Sequence, residues 1–171
     1  MTAALAERAP AAHHIPMSKV TLTTTLPLPA TTACALAYTP ELFEYLVHPF
    51  LSTPNLELPQ HLEPGMAGSA RLWWFGIIPA WHHHLRLIEM SPTEIRTEEW
   101  GGSVRTWNHR LTFEPLTDTS CRYTDEIEID DGVLGFGTRA FAQLMFRWRH
   151  RRWRALARVL AGGALELRPA G

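Results

Sequence analysis

The chain has 171 residues, of which 46% are hydrophobic and 19% charged, and its formal net charge is −1. That suffices for one domain with a sizeable core that needs neither metal nor disulfide, and the composition is ordinary for a globular protein. Cys34 and Cys121 lack metal-ligand spacing, MTAALAERAPAAHHIPM is too polar for a secretory signal, and no run approaches the roughly 18 apolar residues of a membrane span. The expectation is a cytoplasmic protein with reduced thiols.

Residues 1–17 read as a flexible arm, rich in Ala with prolines and a His pair. SKVTLTTTLPLP follows as a strand, because Thr and Val favour a pleated surface and Pro27 and Pro29 end it. Two short helices come next. The first covers about Ala30 to Ala37. The second has Thr39 as N-cap and Pro40 in its first turn, with Leu42, Phe43, Leu46 and Val47 on one side. Pro49 to Gly68 is proline-rich and irregular, with at most one short strand.

Strands are predicted near 67–76, 80–91, 93–100, 104–115 and 120–130, separated by turn signals at Ile78-Pro79, Ser91-Pro92, Gly101-Gly102 and Leu116-Thr117-Asp118. The period then changes to 3.6, giving a helix from about Leu134 to Leu160 that stops at Gly162-Gly163. The domain is expected over residues 18–163, with 164–171 as a tail. The fold class is therefore α+β: a curved antiparallel sheet of six to seven strands, two short helices after the first strand, and one long C-terminal helix across the sheet. A helix of that length, about 40 Å at 1.5 Å per residue, can cross the whole sheet and leave room beneath it. This is a container geometry.

The charge is segregated. Residues 133–162 hold seven arginines and no acid, while the remainder carries nine basic and seventeen acidic residues. Such segregation predicts that the two parts lie against each other, with an anionic partner as the alternative.

In RTWNHRLTF, residues 105–113, Trp107, His109, Leu111 and Phe113 share one strand face. On the last strand Cys121, Tyr123, Asp125, Ile127 and Ile129 share the inward face. Matching parity across the hairpin gives pairs summing to 234, with Asp125 directly opposite His109, or to 236, with Asp125 diagonal to it. Three readings of the pair stay open: a satisfied structural pair, a polar contact for a ligand, or an acid/base dyad.

On the long helix Arg147, Arg151, Arg154 and Arg158 form a solvated side, opposite Phe141, Met145, Trp148, Leu156 and Val159. Arg149 and Arg152 fall on that apolar side. They either snorkel, pair with Asp125 or Glu99, or anchor a ligand carboxylate or hydroxyl. In HHH at 82–84, His82 and His84 share a face and His83 opposes them. At most two ligands converge, which falls short of a zinc site and suggests a solvent-facing strand edge.

RLWWFGIIPAWHHHL (71–85), EEWGGSVRTWNHRLTFEP (98–115), TSCRYTDEIEID (119–130) and FRWRHRRWRAL (146–156), in this element order, resemble the START/Bet v 1-like (SRPBCC, helix-grip) superfamily. The likeness is to its bacterial polyketide cyclase/dehydrase-like or ligand-binding branch. The turn Gly76-Ile77-Ile78-Pro79 is one residue longer than the usual form, and Gly101-Gly102 stands where Gly-Pro is usual. An NTF2-like cone is set aside because there the helices come first.

The resemblance implies a carrier or sensor of a hydrophobic or aromatic small molecule, lipid included, held between sheet and helix. Trp107, His109, Leu111, Phe113, Tyr123, Asp125, Met145, Trp148, Arg149 and Arg152 are the candidate ligand contacts. The alternative is a cyclase or dehydratase of a polyketide-like or aromatic substrate. His109 would then be the general base, Asp125 would orient it, and an inward Arg would stabilise enolate charge. No cofactor and no metal are called for. The chain is expected to be a monomer or homodimer, and pI ≈ 6.8 argues against a nucleic-acid partner.

Overall fold

The computed structural model describes residues 18–54, 63–102, 104–130 and 135–166. The arm expected over residues 1–17 and the end of the tail, 167–171, lie outside the described residues. Seven strands form one antiparallel sheet: β1 (Ser18–Leu26), β2 (Leu51–Ser52), β3 (Ala67–Trp74), β4 (Ile78–Ser91), β5 (Glu94–Gly101), β6 (Thr106–Thr117) and β7 (Ser120–Asp130). Their spatial order is β1-β7-β6-β5-β4-β3-β2. Helices α1 (Ala30–Ala37) and α2 (Pro40–Val47) follow β1, and α3 (Gly135–Glu166) closes the chain. This is the α+β helix-grip architecture that the sequence implies.

Local chemistry accounts for the elements. Pro40 opens α2, and the Leu42 amide donates to Thr39 Oγ1 at 3.2 Å, satisfying one of the free N–H groups of the first turn. In β7, Cys121, Tyr123, Asp125, Ile127 and Ile129 are all buried and alternate with more exposed residues. The β6–β7 register pairs Leu111 with Asp125 and His109 with Ile127, so Asp125 lies diagonal to His109. At the β5 corner, a Cβ on Gly101 (φ 149°) would lie 2.2 Å from the His82 carbonyl oxygen, which only glycine avoids.

The core has three parts, the smallest being Val47, Leu51 and Met145 between α2, β2 and α3. Leu26, Phe113, Cys121, Tyr123, Trp153 and Ala157 pack beneath α1, and Val20, Ile127, Ile129, Ala142 and Phe146 join β1 and β7 to the first half of α3. The backbone of helix α3 runs closest to β1, β7 and α2, while Phe141 and Phe146 reach β3 and β6 through their rings.

Four sequence expectations need correction. The β3–β4 turn is Phe75-Gly76-Ile77, with φ of 53° and 72° at Phe75 and Gly76, while Ile78 and Pro79 already pair with Trp74 and Trp73. Pro79 is tolerated because β5 does not reach that end of β4, so no ladder hydrogen bond is lost there. Helix α3 also runs through Gly162-Gly163 to Glu166. Neither glycine takes a positive φ, so they act as ordinary helical residues, at about 1 kcal/mol each relative to Ala.

The third correction is the rotation of α3. Its buried residues are Ala142, Met145, Phe146, His150, Trp153 and Ala157, so of the expected inward side Met145 is buried, whereas Val159 is 70% exposed. Two alanines let the helix approach the sheet closely, and a histidine among the buried residues hides them from an apolar wheel. Finally, the arginines of the outer helix face do not neutralise the acids of the sheet. The sheet pairs its own charges, Lys19–Glu126, Arg110–Glu94, Arg122–Glu114, Arg86–Glu98 and Arg96–Glu89.

Candidate functional site

Inward positions of four adjacent strands carry a row of imidazoles and carboxylates. His83 comes from β4, Glu99 from β5, His109 from β6 and Asp125 from β7. In the ladders His83 faces Gly101, His109 faces Thr97, and Asp125 faces Leu111. Each member is therefore two residues off its neighbour's partner, the diagonal spacing that long side chains can bridge. Helix α3 adds His150 from above.

The contacts run in sequence. His83 Nε2 donates to Glu99 Oε2 at 2.9 Å, and Thr97 Oγ1 donates to Glu99 Oε1 at 2.5 Å. His109 Nδ1 stands 3.7 Å from Glu99 Oε1, and His109 Nε2 donates to Asp125 Oδ1 at 2.6 Å. His150 Nε2 donates to the other oxygen, Asp125 Oδ2, at 2.9 Å. Asp125 is fully buried, and Glu99, His109 and His150 are buried with it.

Electrostatics bias the charge states. Burial opposes ionisation of Asp125, but the Arg149 charge and the hydrogen bonds from His109 and His150 outweigh it and hold the carboxyl far below the usual range. Burial opposes ionisation of Glu99 too, and the contacts with His109 and His83 overcome it in the same direction. For His109, burial would lower the value, yet Asp125 and Glu99 together raise it. The tyrosine beside the row, Tyr123, is pushed well up by burial and by the Asp125 charge. The row thus sets the His109 imidazole between two carboxylates that favour its charged form, with a guanidinium near the inner one.

The other candidate contacts fall into separate places. Leu111, Phe113 and Tyr123 belong to the core beneath α1, with the Phe113 and Tyr123 rings stacked at 5.0 Å. Trp107 stacks on Phe146, whose ring also meets His109 edge-on at 5.2 Å. Met145 packs with Val47 and Leu51. Trp148 donates to the His48 carbonyl at 3.0 Å, and Arg152 donates to the Tyr45 carbonyl at 2.6 Å while lying over the Tyr45 ring. These two tie α3 to α2 and the segment after it. Arg149 lies over Phe146 at 4.6 Å, and its Nε is buried without a hydrogen-bond partner.

Sequence reasoning missed His150 and the inward role of His83. Strand parity placed His83 opposite its two neighbours, which was the available signal. The triple histidine is not merely a solvent-facing edge: His83 points inward to Glu99, while His84 stacks on Trp100 at 5.4 Å. For His150 the signal was its spacing of four from Phe146 and three from Trp153, both buried. The row ends at an aromatic group. Trp81 Nε1 approaches His83 Nδ1 at 3.5 Å, and the Trp74 ring meets Trp81 at 5.5 Å and Phe141 of α3 at 5.7 Å, both edge-on. That contact turns Trp74 toward the helix.

Among the described residues no group of three or more His, Cys, Asp and Glu side chains is arranged to hold a metal ion. No described helix is long and apolar enough to cross a membrane.

The fold is that of the START/Bet v 1-like helix-grip class. A structural-genomics protein from Chromobacterium violaceum superposes with a TM-score of 0.66 at 16% identity, covering 81% of this chain and 96% of its own. A START superfamily protein from Mycobacterium smegmatis gives 0.65 at 14% identity, covering 85% and 99% respectively. No curated protein matches the sequence significantly. The chain belongs to the family described as Domain of unknown function (DUF8410), whose pattern matches residues 52–157.

Proposed function

We propose that this protein is a binding module, a carrier or sensor that holds a hydrophobic or aromatic small molecule between the sheet and α3. The observation that carries this reading is the aromatic group Trp74, Trp81 and Phe141 at the end of the polar row. Its rings are only half-buried, and they stand where the α3 backbone lies farther from the sheet than over β1 and β7, with Phe141 bridging to Trp74. Apolar walls with a few convergent polar groups are what a small-molecule site requires. Arg149, with a buried and unpartnered Nε, supplies a donor for a carboxylate or hydroxyl of such a ligand. The likeness to a START superfamily protein agrees with this reading.

The cyclase or dehydratase reading finds less support. Its general base would be His109, whose 2.6 Å contact with Asp125 is of the right kind. However, the second nitrogen faces Glu99 rather than open space, so neither is presented to a substrate proton.

Native mass spectrometry of protein purified from its own host, followed by extraction, tests the proposal. A defined hydrophobic or aromatic compound that dissociates on Trp81→Ala or Arg149→Ala is the expected result. Empty protein that also leaves the fluorescence of 1-anilinonaphthalene-8-sulfonate unchanged would overturn it.

A further inference from the structure

The arginines of the outer α3 face take no part in the site above. Arg147, Arg151, Arg154 and Arg158 recur at intervals of four, three and four, a stripe about 16 Å long on one side of the helix. Among the described residues none of them has an ion-pair or hydrogen-bond partner, and α3 contains no acid before Glu166. The sheet differs, since its Lys19, Arg86, Arg96, Arg110 and Arg122 are each paired with an acid, and Arg71 of β3 is the exception. Charge left unneutralised along one stripe asks for an anionic surface.

A second feature adjoins it. The β3–β4 turn exposes Phe75 by 57%, Ile77 by 75% and Ile78 by 52%. This tip connects to α3 through one ring: Phe50 meets Phe75 at 6.3 Å and Trp148 at 5.3 Å, and the Phe75 amide donates to the Phe50 carbonyl at 3.0 Å. Trp148 directly follows Arg147 and is one turn from Arg151. Leu144, on the same helix side as the stripe, is exposed as well. Arg147 also lines a groove of about 330 Å³ between β1 and α3, together with Lys19 and Arg139.

From this juxtaposition we infer that the β3–β4 turn and the arginine stripe of α3 form a docking face for an anionic phospholipid surface. The guanidinium groups meet lipid phosphates, and Phe75, Ile77 and Ile78 enter the headgroup–acyl boundary beside them. Nucleic acid fits the face less well, because three aliphatic or phenyl side chains would be left against a phosphate backbone. The docking does not depend on what occupies the interior.

Sedimentation with vesicles tests the inference. The full chain is expected to bind phosphatidylglycerol vesicles at low salt, to bind phosphatidylcholine vesicles at least about tenfold more weakly, and to be released near 1 M salt, where the Debye length is about 3 Å. Arg151→Glu/Arg158→Glu should lower phosphatidylglycerol binding by at least about tenfold, and Ile77→Asp should lower it by about fivefold, each with an unchanged melting temperature. Equal binding to both lipids, no binding to phosphatidylglycerol at low salt, or variants that bind as tightly as the parent would overturn the proposal. So would salt-sensitive retention of single- or double-stranded DNA without vesicle binding.

Discussion

His109 of β6 and His150 of α3 donate to the two oxygens of one carboxylate, Asp125, at 2.6 and 2.9 Å. A single buried acid thereby ties the sheet to the helix at a point where neither histidine could be satisfied by water. Removing it strands two donors and leaves the Arg149 charge without its counter-charge. Asp125→Asn keeps the shape but loses the charge, and the expected cost is about 3–5 kcal/mol, as for breaking one partner out of a buried ion network. Urea unfolding measures it. A loss below about 1 kcal/mol would show that the row contributes little to holding α3 on the sheet.

The same cluster sets a pH window. His109 is raised above its unfolded value of about 6.5, so its contribution is fully present below that pH and is lost as pH rises through the higher folded value. Glu99 and Asp125 are depressed, so theirs is present above their unfolded values of about 4.3 and 3.9 and is lost as pH falls. Stability should therefore be greatest between about pH 4.5 and 6.5 and decline on both sides. In His109→Gln the decline above pH 6.5 should flatten. An alkaline decline as steep as the parent's would assign it to other groups.

Strand parity alone placed His109 and Asp125 on facing inward positions, and it left only the choice between opposite and diagonal, which the β6–β7 register resolves as diagonal. The element order was equally legible, because hairpin signals and a late change of period are local properties of the chain. The position of α3 was not. Its buried line runs through His150 and two alanines, so a wheel weighted by hydrophobicity turned the helix toward Phe141, Trp148 and Val159. Glu99 was legible only as a possible partner for an inward arginine, not as a member of the row. Its neighbour relations span β4, β5 and β6, and no single hairpin reveals them.

The corner after β5 offers a sharper backbone test. Gly101→Ala would put a methyl group 2.2 Å from the His82 carbonyl oxygen at a φ of 149°. His83 pairs with Gly101 from β4 and Glu99 lies two residues before it on β5, so relief of the clash must disturb the end of the row. The expected cost is at least about 2 kcal/mol. Gly68→Ala, where a Cβ meets nothing within 4 Å, should stay within about 0.5 kcal/mol of the parent. Similar melting temperatures for the two variants would contradict the close approach at the corner.

The aromatic residues divide into two groups that mutation should separate. Phe113 and Tyr123 of the sheet and Trp153 of α3 are almost wholly buried in one core cluster, and Phe113→Ala or Trp153→Ala should cost about 3–5 kcal/mol because each opens a cavity in a packed core. Trp74 and Trp81 are only half-buried, so water can follow a truncation and the loss of stability should stay nearer 1 kcal/mol. Binding should show the reverse order. If the ligand rests on these rings, Trp81→Ala should weaken binding of 1-anilinonaphthalene-8-sulfonate about tenfold while the protein stays folded, since one well-placed ring contact is worth about 1 kcal/mol beyond its area. Probe affinity unchanged in both Trp74→Ala and Trp81→Ala would move the binding site away from this end of the sheet.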